Sequence, residues 1–455
     1  FGDVAMKKSM CLLMFSLLLG QADQAIMTLY KDGFALVKQP VNWPNVPAGV
    51  STIEYNQLPS RLFMDSPFLT LQDEIVVRWQ RINSNIFSGE KFFSRKLGKY
   101  VEIKISGGKT YEGILLEYNN AKVTLQGKSE VLSIPRDKIE LISTEDRIEN
   151  PQFKPTLIWE INLEKPMQVQ GELIYLSGGF DWNAVYRLVM NGKDNQANLV
   201  PEAIISNRSD VDFSDLTLQL VEGELHRAGQ KKISSGSQQF SRAQSSRVAS
   251  SSVSADQKSL GDYHIYALSE VLNFMGDDNI TVQLYNPRVI NYEKTYIFEN
   301  KERSQREEPL VVELKIINSE ENGLGIPLPA GKVEMYLTSK GGSLEFSGED
   351  YLVQTPKEGT VLLTAGRAFD ITGKRTILNY DRQRNSEEAS IQIQIKNIHD
   401  EDIQVRVIEH ISGDWVIRDA SSMYTKEDAT TIYFPLNIDT EDNKIITYTY
   451  RKEWK

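Results

Sequence analysis

The sequence predicts an all-β protein made of several antiparallel β-sandwiches, the last of them immunoglobulin-like, with a small β-barrel inserted into an earlier one. Short segments in which apolar and polar residues alternate follow one another from Ile26 to the end of the chain. No segment longer than a turn or two shows helical periodicity. At 455 residues the chain exceeds what one hydrophobic core serves, so several domains are expected.

The first residues predict a secretory signal peptide over residues 1–22. A basic pair precedes the apolar run MCLLMFSLLLG, which is too short to span a bilayer, and Gly20 and Ala22 form a small-x-small cleavage site. We expect residues 1–5, which precede the first methionine, to lie upstream of the true start of translation. The protein is therefore predicted to be exported, as a secreted or periplasmic protein without a transmembrane segment after cleavage.

The charge and the cysteine content of the chain limit which kinds of site and partner are expected. Cys11 is the single cysteine and lies within the predicted signal peptide, so disulfides, cysteine nucleophiles and thiolate metal sites are not expected. Without residues 1–22 the chain has 49 basic and 61 acidic residues, a net charge of −12. Because an anionic surface repels phosphate backbones, we expect no nucleic-acid partner.

Residues 23–93 are expected to form the first strands of a sandwich. The stretch MTLYKDGFALVKQPV has two short apolar runs around Lys31-Asp32-Gly33, and Asp-Gly supplies the positive φ that a tight hairpin turn requires. We expect these strands to pair with strands after Pro155, which makes the segment between them an insertion.

That insertion, residues 94–145, is predicted to be the small barrel. Val101, Ile103 and Ile105 alternate with polar residues, and Gly113 stands in mid-strand, where a sharply bent barrel strand needs a missing side chain. The pattern of short strands resembles Sm-like and SH3-like barrels. Its lysines are offset by glutamates, so we expect a structural or partner-binding role and not RNA binding.

The sandwich is expected to continue over residues 150–308. It is interrupted at residues 229–259, where eleven serines and hardly any bulky apolar side chains predict a mobile loop. This loop is locally basic and could touch an anionic partner, although a solvated tether is the favoured interpretation. Residues 310–455 contain period-two segments at the spacing of the immunoglobulin-like sandwich.

Candidate catalytic residues lie near the serine-rich loop. In DYHIYAL, strand alternation places Asp262, His264 and Tyr266 on one face, and a carboxylate beside an imidazole could perform acid-base chemistry. Glu222 and Glu224 are further carboxylates for a hydrolytic site. The alternative, which we favour, is the solvated face of a half-buried strand.

Candidate binding residues are two tryptophans, Trp182 and Trp415, which each follow Gly and Asp at the entry to a strand. If the two rings are exposed, they could stack on a sugar ring or anchor a partner. If they are buried, they would pack at the corner of a sandwich, and this is the alternative that we favour. The four histidines are scattered and no phosphate loop, serine-hydrolase elbow or calcium loop is complete, so we expect no cofactor and no metal.

Several strings resemble an uncharacterised bacterial envelope family that carries the domain of unknown function of the mucoidy-inhibitor group. They are LYKDGFALVKQ, LIYLSGGFDWNAVYRLVMN, ISNRSDVDFSDLTLQLVEGELHR, NSEENGLGIPLPAGKVEMYL, FSGEDYLVQTPKEGTVLLTAGRAFDITGKR and IEHISGDWVI. The resemblance implies a secreted or periplasmic bacterial β-protein, and it carries over no catalytic residue.

These observations predict a non-enzymatic binding or scaffold protein of the cell envelope, with an envelope protein or glycan as partner. The alternative is a hydrolase that acts on an envelope polymer. Convergent carboxylates, or Asp and His in one cleft, would favour the hydrolase, whereas a flat or edge-strand surface would favour the scaffold.

Overall fold

The structure, a computed structural model, describes residues 24–72, 75–149, 151–192, 194–223, 259–260, 263–339 and 341–454. Nearly all of its regular structure is β, so the predicted fold class is confirmed. The predicted signal peptide and all but the last residue of the predicted serine-rich loop lie outside the described residues. In the part of the chain that is described, no helix has the length and apolar character needed to cross a membrane.

The elements up to Glu222 include one α-helix and one short 3-10 helix, Arg136–Lys138. In chain order they are β1 (Ala25–Tyr30), β2 (Phe34–Val46), β3 (Gly49–Tyr55), β4 (Phe68–Leu71), β5 (Val77–Asn83), α1 (Gly89–Ser94), β6 (Tyr100–Ile105), β7 (Thr110–Tyr118), β8 (Lys122–Gln126), β9 (Val131–Pro135), β10 (Ile139–Ser143), β11 (Thr156–Leu163), β12 (Met167–Gly178), β13 (Phe180–Met190), β14 (Gln196–Asn207) and β15 (Phe213–Glu222).

The remaining elements are all strands. They are β16 (Ser259–Leu260), β17 (Tyr263–Phe274), β18 (Asp278–Gln283), β19 (Arg288–Asn291), β20 (Glu293–Lys301), β21 (Arg306–Ile317), β22 (Gly331–Thr338), β23 (Leu344–Leu352), β24 (Thr360–Arg382), β25 (Ser386–Asn397), β26 (Ile403–His410), β27 (Trp415–Arg418), β28 (Thr425–Lys426), β29 (Thr431–Ile438) and β30 (Asn443–Glu453).

The strands pair into five sheets within the described residues. The first sheet has the order β16-β17-β15-β1-β2-β12-β4, and a small sheet has the order β3-β11-β5. The barrel sheet is β10-β6-β7-β8-β9, the central sheet is β18-β14-β13-β22-β23 with β19 also paired to β14, and the C-terminal sheet is β27-β30-β25-β24-β21-β20-β26-β29-β28. Most pairs are antiparallel, but β1 with β15, β13 with β22 and β20 with β26 are parallel.

The hairpin between β1 and β2 follows from its turn chemistry, because Gly33 has a φ of +80°, a region open to glycine. Strands on either side of the barrel sheet pair with one another: β2 and β4 with β12, and β3 and β5 with β11. The barrel sheet has a core of its own. A Cβ on Gly113 would lie 2.4 Å from the carbonyl oxygen of Gln126, so the strands approach as closely as they do only because that side chain is missing. The likeness to an Sm-like or SH3-like barrel stays a prediction.

Two larger cores lie outside the barrel sheet. One is shared by the first, small and central sheets, and the other lies under the C-terminal sheet. The long strands β21 and β24 reach both cores, since Leu314 and Leu363 pack in the first and Leu310 and Ile371 in the second. The pairing also crosses the expected boundary at residue 310, because β20 belongs to the C-terminal sheet whereas β22 and β23 belong to the central one. The division into domains and the immunoglobulin-like assignment stay predictions.

Candidate functional site

Glu222, one of the predicted catalytic carboxylates, is buried against a lysine. Lys31, in the β1–β2 turn, lies with its Nζ 2.6 Å from Glu222 Oε2 and donates a hydrogen bond of 2.5 Å to the carbonyl oxygen of Ala330. Glu222 is 5% exposed and accepts a hydrogen bond from the backbone N–H of Ala330. The parallel pairing of β1 with β15 brings the two charges together, so the carboxylate is held as an ion pair.

Aromatic side chains enclose this ion pair. Lys31 Nζ lies 4.7 Å from the ring centroid of Trp182, whose own ring is fully buried and donates to the carbonyl oxygen of Val221. Tyr266 packs 6.0 Å from Trp182, and burial together with the Glu222 charge raises the pKa of the Tyr266 hydroxyl well above its usual range. The tyrosine therefore stays protonated, and the Lys31–Glu222 ion pair lies beside two buried aromatic rings, with the Lys31 side chain 21% exposed.

His264 lies directly opposite Glu222 in the pairing of β15 with β17, and it is half-buried. The structure therefore brings together two of the residues predicted for a hydrolytic site. Asp262 and Glu224 lie outside the described residues. Tyr266, on the same face of β17 as His264, is buried in the first core instead of facing solvent.

Both candidate tryptophans are buried. Trp182 is 0% exposed and Trp415 is 8% exposed, with Trp415 Nε1 donating to the carbonyl oxygen of Ala429 at 2.9 Å. Lys426 Nζ covers the Trp415 ring at 4.4 Å from its centroid. Neither ring offers a free face for a sugar, and the two act as packing anchors at the entries to β13 and β27.

A buried polar network under the C-terminal sheet was not predicted. Arg375 and Glu409 have fully buried side chains, and Arg375 Nε donates to both carboxylate oxygens, at 3.2 and 2.9 Å. Arg375 also donates to the carbonyl oxygens of Ser304 and Glu302, and the Tyr448 hydroxyl donates to Glu409. Burial opposes the charged guanidinium, but the Glu409 carboxylate outweighs it and raises the pKa of Arg375.

A second layer of the network lies beside the first. Lys452 forms ion pairs with Glu302 and Glu387, and the Tyr450 hydroxyl donates to both carboxylates, at 3.3 and 3.0 Å. Burial alone would raise the pKa of Glu302, but hydrogen bonds from Lys452 and Ser412 lower it to about 2. Every carboxylate of this network is thus neutralised by a cation, which suits a structural role better than acid-base catalysis.

A sequence signal for the network existed. Ile403, Val405 and Val407 form an inward-facing row on β26, and two residues further along the same register stands Glu409. Arg375 continues a buried row on β24 in the same way. A charged residue in an inward register predicts a buried partner on a neighbouring strand.

The outer face of the central sheet carries a row of paired charges, here called the charge ladder. Its members are Glu202 on β14, Arg187 on β13, Glu334 and Lys332 on β22, and Glu349 on β23. Arg187 pairs with Glu202 and lies 3.8 Å from Glu334, while Lys332 Nζ lies 2.6 Å from Glu334 and 3.6 Å from Glu349. The hydrogen bond from Lys332, the largest cause, lowers the pKa of Glu334, so Glu334 stays charged at neutral pH.

Aromatic rings stand beside the charge ladder at the edge strand β23. Phe346 and Tyr351 are 59% and 60% exposed, and they pair across the sheet with Tyr336 and Lys332. Tyr336 packs edge-on against Phe346 at 5.7 Å, and its hydroxyl donates to Glu334 at 3.0 Å. Lys332 and Glu349 are 46% and 59% exposed, so this part of the face presents alternating charges next to exposed rings.

A cavity of about 380 Å³, here called the junction pocket, lies between α1 and the two segments that connect the barrel sheet to the rest of the chain. Its walls contain Lys91, Arg95 and Lys96 beside Phe87 and Phe92. The run KFFSRK, which supplies most of these side chains, was the available sequence signal, but its counterpart segment lies about fifty residues further along. In the part of the chain that is described, no group of His, Cys, Asp and Glu side chains is placed to hold a metal ion.

Comparisons with known proteins identify no relative, since no protein-family model matches the chain and no curated protein matches it.

Proposed function

We propose that this chain is a non-enzymatic binding protein of the bacterial cell envelope and that it holds a glycan on the outer face of its central sheet. The observation that carries the proposal is the charge ladder with the exposed rings of Phe346 and Tyr351 beside it. The exported location rests on the predicted signal peptide, and the resemblance to the mucoidy-inhibitor group agrees with it. Both stay predictions.

The chemistry of this face suits sugars. Carboxylates, a guanidinium and an ammonium in one row can each exchange hydrogen bonds with hydroxyl groups, and aromatic faces pack on the apolar side of a pyranose ring. Phe346 and Tyr351 pair with Tyr336 and Lys332, which lie four residues apart on β22, so the two rings are about 13 Å apart at the usual strand rise, which leaves room for a short oligosaccharide. The cores of protein–protein interfaces are depleted in charge, whereas here the charges lie in the middle of the face, so a glycan fits better than a protein.

The hydrolase alternative is less well supported by the buried carboxylates. Glu222 is paired with Lys31 and Glu409 with Arg375, so a cation already occupies each carboxylate where a substrate group would have to approach. The position of His264 opposite Glu222 is the one observation in its favour. Both proposals can be tested on the same polymers, because a hydrolase releases soluble fragments and a binding protein does not.

The test is binding of the chain to purified peptidoglycan sacculi, by co-sedimentation, and to soluble envelope polysaccharide, by calorimetry. The double variant Phe346→Ala with Tyr351→Ala removes the rings but keeps the charge ladder. Phe369→Ala, at an aromatic ring on β24 that is 90% exposed, is the matched control. We expect binding of at least one polymer by the native chain and the control, with affinity at least about tenfold lower for the double variant.

Two results would contradict the proposal. One is that neither polymer is bound by the native chain. The other is binding by the double variant that equals that of Phe369→Ala. Fragment release from either polymer, lost in a His264→Ala variant, would instead support the hydrolase.

A further inference from the structure

We propose that the junction pocket is a binding site for a small organic anion, namely a carboxylate or phosphate group attached to an apolar or aromatic moiety. This inference is independent of the glycan proposal, because the pocket and the charge ladder share no residue. Its size of about 380 Å³ lies in the range of small-molecule sites.

The side chains that line the pocket carry a positive charge, which favours an anionic ligand. Lys91, Arg95 and Lys96 line it, and no Asp or Glu is among its lining residues. Lys96 is neutralised by Asp146, which lies 2.7 Å from its Nζ, but Lys91 and Arg95 form no ion pair with any residue that the structure describes. Lys91 and Arg95 thus bring two positive charges to one cavity, and an anion bound there would complement them.

The apolar wall is the second argument. Phe87 and Phe92 lie with their ring centroids 6.1 Å apart, and Phe87 is a further 6.2 Å from Phe153. Phe87 remains 38% exposed, although aromatic rings of this size gain most from burial. A ligand with an apolar group would cover this ring while its anionic group reached Lys91 and Arg95.

The pocket is held in shape by its own hydrogen bonds, which is the third argument. Gln152 Nε2 donates to the carbonyl oxygens of Asn83 and Lys154, and the backbone N–H of Phe87 donates to the Gln152 carbonyl oxygen at 2.7 Å. Arg95 Nη2 donates to Asn85 Oδ1 at 2.7 Å. These bonds tie the two connecting segments together, so the Arg95 guanidinium is already oriented by an amide and keeps its remaining N–H groups for a ligand.

The three features together specify the ligand class. A site for free phosphate alone would need no aromatic wall, and a site for a neutral apolar compound would need no unpaired cations. The ligand is therefore expected to carry both parts, as an aromatic carboxylate or a phosphorylated apolar compound does.

The test compares two fluorescent probes on the full chain. 8-Anilino-1-naphthalenesulfonate is an aromatic anion, and N-phenyl-1-naphthylamine has the same ring systems without the charge. In the double variant Lys91→Ala with Arg95→Ala, the affinity for the anionic probe should fall by about tenfold or more, because charge-assisted hydrogen bonds are lost, and the affinity for the neutral probe should change less than about twofold. Inorganic phosphate should displace the anionic probe from the native chain.

Two further variants keep the test decisive. Lys104→Ala with Lys128→Ala removes two exposed cations of the barrel segment away from the pocket and should leave both probes bound as in the native chain. Phe87→Ala should weaken both probes. Thermal unfolding of each variant shows whether it is folded, and Lys91→Gln with Arg95→Gln replaces the alanine pair if that pair unfolds.

The inference is overturned if the variant that lacks Lys91 and Arg95 binds the anionic probe as tightly as the native chain. It is also overturned if the anionic and neutral probes lose affinity equally, because the pocket would then be only an apolar surface. Failure of this test leaves glycan binding by the central sheet untouched, and failure of glycan binding leaves this test untouched.

Discussion

Replacement of Arg375 by methionine should unfold the C-terminal sheet at a much lower denaturant concentration. Arg375 is fully buried and, besides its ion pair with Glu409, satisfies the carbonyl oxygens of Ser304 and Glu302. Methionine fills a similar volume without donors. The variant therefore leaves the buried Glu409 carboxylate without its cation, with the Tyr448 hydroxyl as its remaining side-chain donor among the described residues.

The expected loss of stability follows from the contacts that Arg375 makes. Removal of one partner from a buried ion pair costs about 3–5 kcal/mol, because the other charge is left uncompensated. Two orphaned carbonyl oxygens add to the loss, so we expect the free energy of unfolding to fall by about 4 kcal/mol or more at pH 7. In contrast, Arg303→Met breaks an ion pair with Glu387 in which the arginine side chain is 59% exposed, and we expect a loss below about 1 kcal/mol.

Urea unfolding, followed by tryptophan fluorescence and by circular dichroism, measures both variants. A third variant, Arg375→Met with Glu409→Leu, should recover part of the loss, because replacement of both partners by apolar side chains removes the stranded charge. The reasoning is refuted if Arg375→Met costs less than about 1 kcal/mol, or if the double variant is less stable than the single one.

Three other changes test the remaining parts of the structure. The folded-state pKa of Glu302 is about 2, below its usual value, so its contribution to stability is complete above about pH 4.5 and is lost as the pH falls toward 2. We therefore expect the acid midpoint of unfolding to shift in Glu302→Gln, and an unchanged midpoint would be contrary evidence. Gly113→Ala should lower the free energy of unfolding of the barrel sheet by about 2 kcal/mol, measured by heat or urea, because the new Cβ meets a backbone oxygen. Gly127→Ala, with its nearest contact at 3.4 Å, should be tolerated. Equal effects of the two variants would contradict this packing. Lys31→Met should destabilise the first sheet by about 3 kcal/mol, as it strands buried Glu222, and a urea-measured loss under about 1 kcal/mol would show that the pair is not desolvated.

Local features of this fold could be predicted from the sequence. The turn at Gly33 is set by neighbouring residues, and strand alternation reports which side chains face a core. The all-β class follows from many such segments together. Sequence reasoning was therefore most reliable where the determining contacts are a few residues apart.

Long-range pairing could not be predicted in this way. The parallel contact of β13 with β22 joins Tyr186 to Val333, and nothing in either segment specifies the other. The same holds for the charge ladder, because its members come from four strands that are adjacent only in the folded sheet. The burial of Trp182 was one of two open alternatives, since the string Gly-Phe-Asp-Trp has the same appearance whether the ring is covered or exposed.

Hydroxyl-radical footprinting with and without the bound glycan tests whether the central sheet is the binding surface, because aromatic side chains that a sugar covers lose reactivity. We expect the polymer retained in the binding assay to protect Tyr336, Phe346 and Tyr351 on the central sheet and to leave Phe369 and Tyr424 as reactive as in the free chain. Protection that spares the central sheet, or that falls on β24 and the C-terminal sheet instead, would contradict it.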